Sequence, residues 1–260
     1  MVNKVEKEKA NEKSNVKKVI GVISGKGGVG KSYTTGLLAL SLAQLGFEVG
    51  ILDADITGPS IPHMFKVKDK AFGDSTSIYP HVVDDLGIKI ISAAMLLEDN
   101  EDPLMWRGPL VSEIIRQFYN TVNLGELDYL LVDFPPGTSD VAIMAMQSLS
   151  IDGLIIVTTP QDMVGTIVKK AINMANTLEV PVLGAINNMA YLECPKCGDK
   201  IYIYGNSNQQ LIEEKLGVKL LGEIKLIPNN VALLDRGEYQ GVELGDFIKI
   251  ARNIVKKKGV

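Results

Sequence analysis

A glycine-rich segment with two lysines and a serine holds the residues of this chain best suited to binding phosphate. The spacing G-x(4)-G-K-S is that of a P-loop, whose glycines let successive backbone N–H groups surround a phosphate at the start of a helix. An apolar run precedes the segment and a helical pattern follows it, and this context favours a P-loop over a glycine-rich turn without a ligand. The segment reads Gly25-Lys26-Gly27-Gly28-Val29-Gly30-Lys31-Ser32. Lys31 is expected to hold the β- and γ-phosphates, and Ser32 to ligate Mg²⁺.

Acidic residues follow two further apolar runs. Asp53 and Asp55 come directly after the run from Phe47 to Leu52, and Asp133 ends the run that begins at Tyr129. A single acid at a strand end often caps a turn, but ligands of parallel α/β sheets bind at the carboxyl ends of the strands. Phosphoryl transfer needs positioning and charge neutralisation more than a strong base. These acids are therefore candidates for the metal and water positions of a phosphoryl-transfer site, with Asp133 in the place expected of a Walker B acid.

Both cysteines of the chain lie in one short motif, Cys194-Pro195-Lys196-Cys197-Gly198. Such a sequence forms a tight knuckle whose backbone N–H groups can point at sulfur, and Gly198 is free to take a positive φ. Two thiolates do not complete a four-ligand site, so two chains must meet or other ligands must join. The spacing alone leaves three alternatives open, which are a [4Fe–4S] cluster bridging two chains, a structural Zn²⁺ site and a redox disulfide.

The second lysine of the P-loop, Lys26, resembles the signature lysine of the deviant Walker A motif. That motif is typical of the ATPase class that includes MinD, ParA, the arsenite-pump ATPases and the nitrogenase iron proteins. In that class the lysine reaches across a dimer to the partner's nucleotide. The resemblance therefore implies that this chain acts as a homodimer.

Further motifs narrow the resemblance to the Mrp/ApbC family of ATP-binding iron–sulfur cluster carriers, from about Val19 to Pro228. They occur in the order seen in that family and read Asp53-Ala54-Asp55-Ile56-Thr57-Gly58-Pro59-Ser60-Ile61-Pro62, Arg107-Gly108-Pro109, Asp133-Phe134-Pro135-Pro136-Gly137-Thr138, Thr158-Thr159-Pro160-Gln161, Asn188-Met189 and the cysteine motif. Tyr33 stands where the family usually has threonine, and Ser139 where it usually has glycine. The family resemblance implies a labile [4Fe–4S] cluster that is held between two subunits and passed to apo iron–sulfur proteins.

The same resemblance implies roles for individual residues in binding and hydrolysing ATP with Mg²⁺. Asp55 orients the attacking water, Asp53 lies near Mg²⁺, and Asp133 holds that ion through water. Lys26, Lys31 and Asp55 form the catalytic set. The implied nucleotide contacts are Gly25 to Ser32, Tyr33, Asp53, Gly137, whose N–H faces the γ-phosphate, Asn188, which reads adenine, and Pro228.

These residues require repeated βα units to position them. Apolar runs of strand length, with helical patterns between them, predict an α/β fold with a doubly wound, mostly parallel sheet flanked by helices. Strands are expected at Val19 to Ser24, Phe47 to Leu52, Tyr129 to Asp133, Gly153 to Thr158, Val182 to Asn187 and Lys219 to Ile224. Residues 1–18, rich in lysine and poor in apolar side chains, are predicted to be a disordered arm. Residues 19–260 are predicted to form one ATPase domain with the cysteines in an insertion near 189–205.

Composition limits the partners and the compartment. The formal net charge is −4, which gives no general attraction for nucleic acid. With no run long enough for a bilayer and no signal-peptide pattern, the expectation is a cytoplasmic protein without a membrane or nucleic-acid partner. One rival is a MinD/ParA-like positioning ATPase with a zinc knuckle. Another is an electron donor resembling the nitrogenase iron protein, although cluster ligands in that protein are far apart in sequence.

Overall fold

The computed structural model describes residues 11–55, 58–74, 76–83, 85–92, 95, 115–116, 119–137, 140–161, 166–205, 213–214 and 216–256. The first ten residues of the predicted arm and Ser139 lie outside this part of the chain. The strands are β1 (Asn15–Val16), β2 (Val19–Ser24), β3 (Val49–Asp53), β4 (Phe72–Gly73), β5 (Ile78–Tyr79), β6 (His81–Val83), β7 (Ile88–Ser92), β8 (Glu126–Leu127), β9 (Tyr129–Asp133), β10 (Gly153–Thr158), β11 (Val182–Asn187), β12 (Leu192–Glu193), β13 (Lys200–Ile201) and β14 (Leu220–Glu223). The helices are α1 (Lys31–Gln44), α2 (Ile61–Met64), α3 (Asp140–Ser148), α4 (Thr166–Thr177), α5 (Pro228–Asp235) and α6 (Gly245–Lys256), with a 3₁₀ turn at Tyr239–Gly241.

An eight-stranded sheet forms the centre of the fold, in the order β14-β11-β10-β2-β9-β3-β7-β6. Every neighbouring pair is parallel except β6 and β7 at one edge. The predicted doubly wound, mostly parallel sheet is therefore confirmed. Because the strands are parallel, the carboxyl ends of β2, β3, β9, β10 and β11 lie at one edge of the sheet, where ligands of such folds bind.

Both faces of the sheet are covered, and β9 illustrates how the sequence achieves this. Its five residues are all buried. Tyr129 and Leu131 join the core under α1 and α6, whereas Leu130 and Val132 join the core under α3 and α4. Successive side chains of a strand point to opposite faces, so a strand buried on both faces is apolar throughout. This is why the continuous apolar runs in the sequence predict the strands well.

The helices flank the sheet through apolar stripes. In α4 the buried positions are Val168, Ala171, Ile172, Met174 and Ala175, which is the three- and four-residue spacing of one helical face. Within the described residues, no helix is both long enough and apolar enough to cross a bilayer.

Residues 11–18 do not behave as the predicted disordered arm. β1 pairs in parallel with β8, and the side chains of Asn11 and Ser14 donate hydrogen bonds to the carbonyl oxygens of Thr121 and Val122. The prediction weighed only the lack of apolar side chains. Order here comes instead from backbone and side-chain hydrogen bonds to 119–127, which composition does not reveal.

Candidate nucleotide site and cysteine hairpin

The P-loop joins the end of β2 to the start of α1, in the middle of the sheet. Gly28 and Gly30 have φ of 80° and 78°, a region that favours glycine. A Cβ on Gly30 would lie 2.3 Å from Asn188 Nδ2, so a side chain there would displace this asparagine. The Asn188 amide donates to the Val29 carbonyl over 2.9 Å, and the Ser24 hydroxyl donates to the Lys26 carbonyl over 2.9 Å. These bonds hold the loop open at the N-terminus of α1.

Lys31, Ser32 and Asp133 form one cluster at the mouth of this loop. Lys31 Nζ lies 2.7 Å from Asp133 Oδ2 and 3.7 Å from Asp55 Oδ2. The Ser32 hydroxyl donates to Asp133 Oδ2 over 2.5 Å. Three residues that are up to 102 positions apart in the sequence therefore meet in one cluster. Asp55, which is 8% exposed, lies on the lysine side of the cluster.

Asp53 ends β3 beside Asp133, and its predicted place near Mg²⁺ stays a prediction. Its carboxylate is fully buried and accepts hydrogen bonds from the Asp55 N–H and the Ser92 hydroxyl. Asp53 pairs in register with Asp133 across β3 and β9. Burial, and then the Asp133 charge, raise the pKa of Asp53 well above its usual range. In this structure Asp53 supports Asp55 by accepting a hydrogen bond from its backbone N–H.

Gly137 differs from its predicted role. Its N–H donates to the Ser24 carbonyl over 2.9 Å, so it is used within the protein and does not face a phosphate here. The φ of Gly137 is 82°, which turns the chain back toward the P-loop after β9.

A cavity of about 230 Å³ opens beside the P-loop and is lined by Gly30, Tyr33, Ser60, His63, Met64, Asn188, Met189, Lys225, Leu226, Ile227, Val231, Leu234 and Asp235. Asn188, which is predicted to read adenine, lines this cavity and also contacts the P-loop. Leu226 and Ile227 line this cavity, and Pro228, the next residue, begins α5. The predicted contact of Pro228 with the nucleotide stays a prediction.

Tyr33 presents its side chain to the same cavity. Its ring packs edge-on against Phe247 at 6.0 Å between centroids, and Asn230 donates to its hydroxyl over 3.5 Å. Burial raises the pKa of Tyr33. The departure from threonine thus gives the cavity an aromatic wall.

The cysteines lie in a small antiparallel hairpin formed by β12 and β13, the segment 192–201, called here the cysteine hairpin. Both thiols are free, with Cys194 half-buried and Cys197 exposed. Hydrogen bonds from the backbone N–H groups of Cys197 and Lys196 lower the pKa of Cys194. Gly198 has φ of 77°, as the knuckle requires. The structure therefore confirms the predicted N–H groups aimed at sulfur.

Three residues that support these sites were missed by sequence reasoning. The Thr35 hydroxyl donates to Asp133 Oδ1 over 2.8 Å, Ser92 bonds Asp53, and Lys225 forms ion pairs with Glu193 at 2.9 Å and Glu243 at 2.8 Å. Hydrogen bonds to these two carboxylates raise the pKa of Lys225. The position of Thr35, one turn after Lys31 on α1, was a usable signal. The other two residues carry none, because their partners are distant in sequence.

A family model described as the NUBPL iron-transfer P-loop NTPase of the ParA group matches residues 15–257. The chain belongs to this family. The chain is 46% identical over 234 residues to an iron–sulfur cluster carrier protein of Clostridium perfringens, a match that covers 87% of this chain and 82% of that protein. It is 44% identical over 252 residues to the protein of the same name from Methanocaldococcus jannaschii, covering 94% and 86%. The predicted resemblance to iron–sulfur cluster carriers is therefore confirmed.

Solved structures agree with this assignment. A nucleotide-binding protein from Archaeoglobus fulgidus in complex with ADP superposes with a TM-score of 0.78 at 41% identity, covering 88% of this chain and 89% of that one. The MinD protein of Pyrococcus horikoshii complexed with Mg-ADP has a TM-score of 0.67 at 22% identity, covering 94% and 98%. The MinD likeness concerns the fold alone. As a member of this P-loop NTPase family, the chain is a nucleotide-binding protein.

Proposed function

We propose that this protein binds and hydrolyses ATP with Mg²⁺, and that two copies hold a [4Fe–4S] cluster that is transferred to apo-proteins. The observation that carries the proposal is the presence, in one chain, of a formed P-loop cluster and of two free cysteines, one half-buried and one exposed, with N–H groups aimed at sulfur. Membership of an iron-transfer NTPase family supports it. We further propose that it works in the cytoplasm without a nucleic-acid or membrane partner.

The P-loop cluster has the charge and donor set that suit Mg²⁺. Two carboxylates, those of Asp55 and Asp133, lie within ion-pair distance of the Lys31 ammonium, and Asp133 is fully buried. Unpaired buried negative charge is costly, and hard oxygen donors are what Mg²⁺ prefers. Ser32 and Asp133 would hold the ion, which supplies charge neutralisation at the phosphates.

The chain's own residues divide the remaining work. Lys31 is placed to move its ammonium from Asp133 to the β- and γ-phosphates, an exchange of one set of anions for another. Asp55, at the edge of the cluster, has a carboxylate to orient water against the γ-phosphate. Lys26 is half-buried in the P-loop, and we propose that it acts on the nucleotide of a second copy.

The proposed roles of Asp55 and Lys26 are tested by measuring the rate of ATP hydrolysis. We expect Asp55→Asn to slow ATP hydrolysis by at least about tenfold while ATP remains bound, because only the group that orients water is lost. Lys26→Ala should slow hydrolysis and spare binding. Phosphate release at the wild-type rate in either variant would remove the corresponding residue from the mechanism.

The cluster is cargo, and ligand counting sets its stoichiometry. Each chain offers Cys194 and Cys197, whereas a [4Fe–4S] cluster held by cysteine takes four thiolates. In the described residues no group of three or more histidine, cysteine or acidic side chains forms a metal site. This count supports one cluster between two copies.

Anaerobic reconstitution with iron and sulfide tests the cargo directly. The expected result is about two irons and two sulfides per chain, in a species with the mass of a dimer. About four irons per chain would contradict the shared cluster. Stoichiometric zinc without sulfide would instead favour a MinD/ParA-like positioning ATPase with a zinc knuckle.

A further inference from the structure

Lys225 contacts two regions of the protein, the cavity beside the P-loop and the cysteine hairpin. It lines the cavity beside the P-loop, together with Tyr33 and Asn188. Its ammonium lies 2.9 Å from Glu193 Oε2, and Glu193 directly precedes Cys194. One side chain therefore touches both the space for a base and the segment that carries the cysteines.

The ion pair with Glu193 has a special place in the attachment of the cysteine hairpin. In the part of the chain that the structure describes, it is the one ion pair or hydrogen bond between residues 192–201 and the rest of the protein. Backbone bonds tie the chain just before the hairpin, where Ala190 donates to Ile224 and Leu226 donates to Tyr191. The Lys200 ammonium of the hairpin also lies 4.1 Å from the centroid of the Tyr191 ring. The orientation of the hairpin on this anchored base therefore depends on the Glu193–Lys225 ion pair together with this cation–π contact.

The second partner of Lys225 connects it to the opposite wall of the cavity. Its ammonium lies 2.8 Å from Glu243 Oε1. The backbone N–H of Glu243 donates to Asn230 Oδ1, and Asn230 in turn donates to the Glu243 carbonyl and to the Tyr33 hydroxyl. Glu243 is thereby held in place, and it fixes Lys225 from the side away from the cysteines.

We propose that Lys225 is a positioning residue that couples the cavity to the cysteine hairpin, so that a nucleotide base and a metal cluster raise each other's affinity. The inference rests on the proposed function, because it requires both ligands to bind. A base in the cavity removes water from the Lys225 side chain, and a lower local dielectric strengthens its ion pair with Glu193. A cluster bound to Cys194 and Cys197 orders the hairpin. Binding of the base then has a smaller entropic cost, because the hairpin is already ordered.

The measurement is the affinity for ADP with Mg²⁺, by calorimetry, in cluster-free and anaerobically reconstituted protein. We expect the wild type to bind ADP more tightly when reconstituted, by a factor near the lower end of the usual range for coupled sites, roughly fivefold. Linkage requires the same factor in reverse, so ADP should raise the affinity for the cluster by that factor, measured in equilibrium competition with a chelator. Glu193→Gln should reduce the ratio of the two ADP affinities to about one.

Two variants act as matched controls. Glu243→Gln removes the ion pair of Lys225 with Glu243 but keeps its ion pair with Glu193, so this variant should retain most of the coupling. Lys225→Arg keeps the charge and should retain it as well, whereas Lys225→Met should abolish it. A merely structural role would change the thermal stability of these variants without changing the ratio of affinities.

The outcomes separate this inference from the proposed function. If the wild type binds ADP and a cluster but with a ratio of one, or if Glu193→Gln keeps the wild-type ratio, the inference is overturned and the proposed function stands. If ADP does not bind, or no cluster forms, the proposed function fails and the inference fails with it.

Discussion

The nucleotide site and the cysteine hairpin need very different amounts of the chain to form them. Ser32 and Asp133, which share a hydrogen bond, are 101 positions apart, and the cluster around them is buried at the end of central strands. The hairpin, in contrast, is one segment, 192–201, whose knuckle is closed by local bonds such as that from the Gly198 N–H to the Cys194 carbonyl. One site is built by the core, and the other is carried on its surface.

Because of this difference, we expect substitutions at the two sites to have different effects on stability and binding. The nucleotide site is held by the packing that stabilises the whole domain, so its residues influence stability and binding together. The hairpin lacks such packing, and its cysteines are accessible to ligands from another molecule. A metal that is held only to be transferred requires that accessibility, whereas ATP hydrolysis requires a site that admits one oriented water and excludes bulk solvent.

The largest expected effect is the loss of nucleotide binding in Lys31→Ala. Removal of the ammonium should weaken ADP binding on the order of 100-fold, about 2.7 kcal/mol, because a charge-assisted contact to the phosphates is lost. Calorimetric titration measures this affinity. Lys26→Ala is the matched control, since it removes the other P-loop lysine and should leave affinity within about threefold of the wild type. If Lys31→Ala still assembles a cluster with unchanged iron content, the contrast between the nucleotide site and the cysteine hairpin is strengthened.

A second substitution acts on the hairpin alone. Cys194→Ala should abolish cluster assembly and leave ADP affinity in cluster-free protein unchanged. Because the site is at the surface and local, the free energy of unfolding should change by no more than about 0.5 kcal/mol. Iron counting, calorimetry and chemical denaturation give the three values. A loss of stability well above this value would show that the hairpin is part of the packed structure, contrary to the comparison.

The smallest expected effect concerns Asp53 and is a gain in stability. Its raised pKa means that the folded state binds a proton more tightly than the unfolded state, for which the pKa is about 3.9. This contribution is fully present below the unfolded pKa and is lost as the pH rises through the folded pKa. Asp53→Asn should therefore raise the Tm at pH 7.5, by about 2–4 °C for a gain on the order of 1 kcal/mol. An advantage that does not shrink as the pH falls toward 4 would contradict the electrostatic explanation.

The sequence by itself determined the elements and the chemistry that is local to them. Tyr129–Asp133, Gly153–Thr158 and Val182–Asn187 form strands at the predicted residues, because strands buried on both faces must be apolar throughout. The P-loop and the cysteine knuckle were equally readable. Each consists of neighbouring residues whose spacing alone permits N–H groups to converge on phosphate or sulfur.

Only the tertiary structure decided how distant residues combine. It joined Asp53 to Ser92 by a hydrogen bond, used the Gly137 N–H within the protein, ordered residues 11–18 against 119–127, and brought Lys225 between the cavity and Glu193. These outcomes depend on the strand order and on bonds between segments far apart in the chain. Spacing along the sequence carries no information about such bonds, because it is the packing of the sheet that selects which strand ends become neighbours.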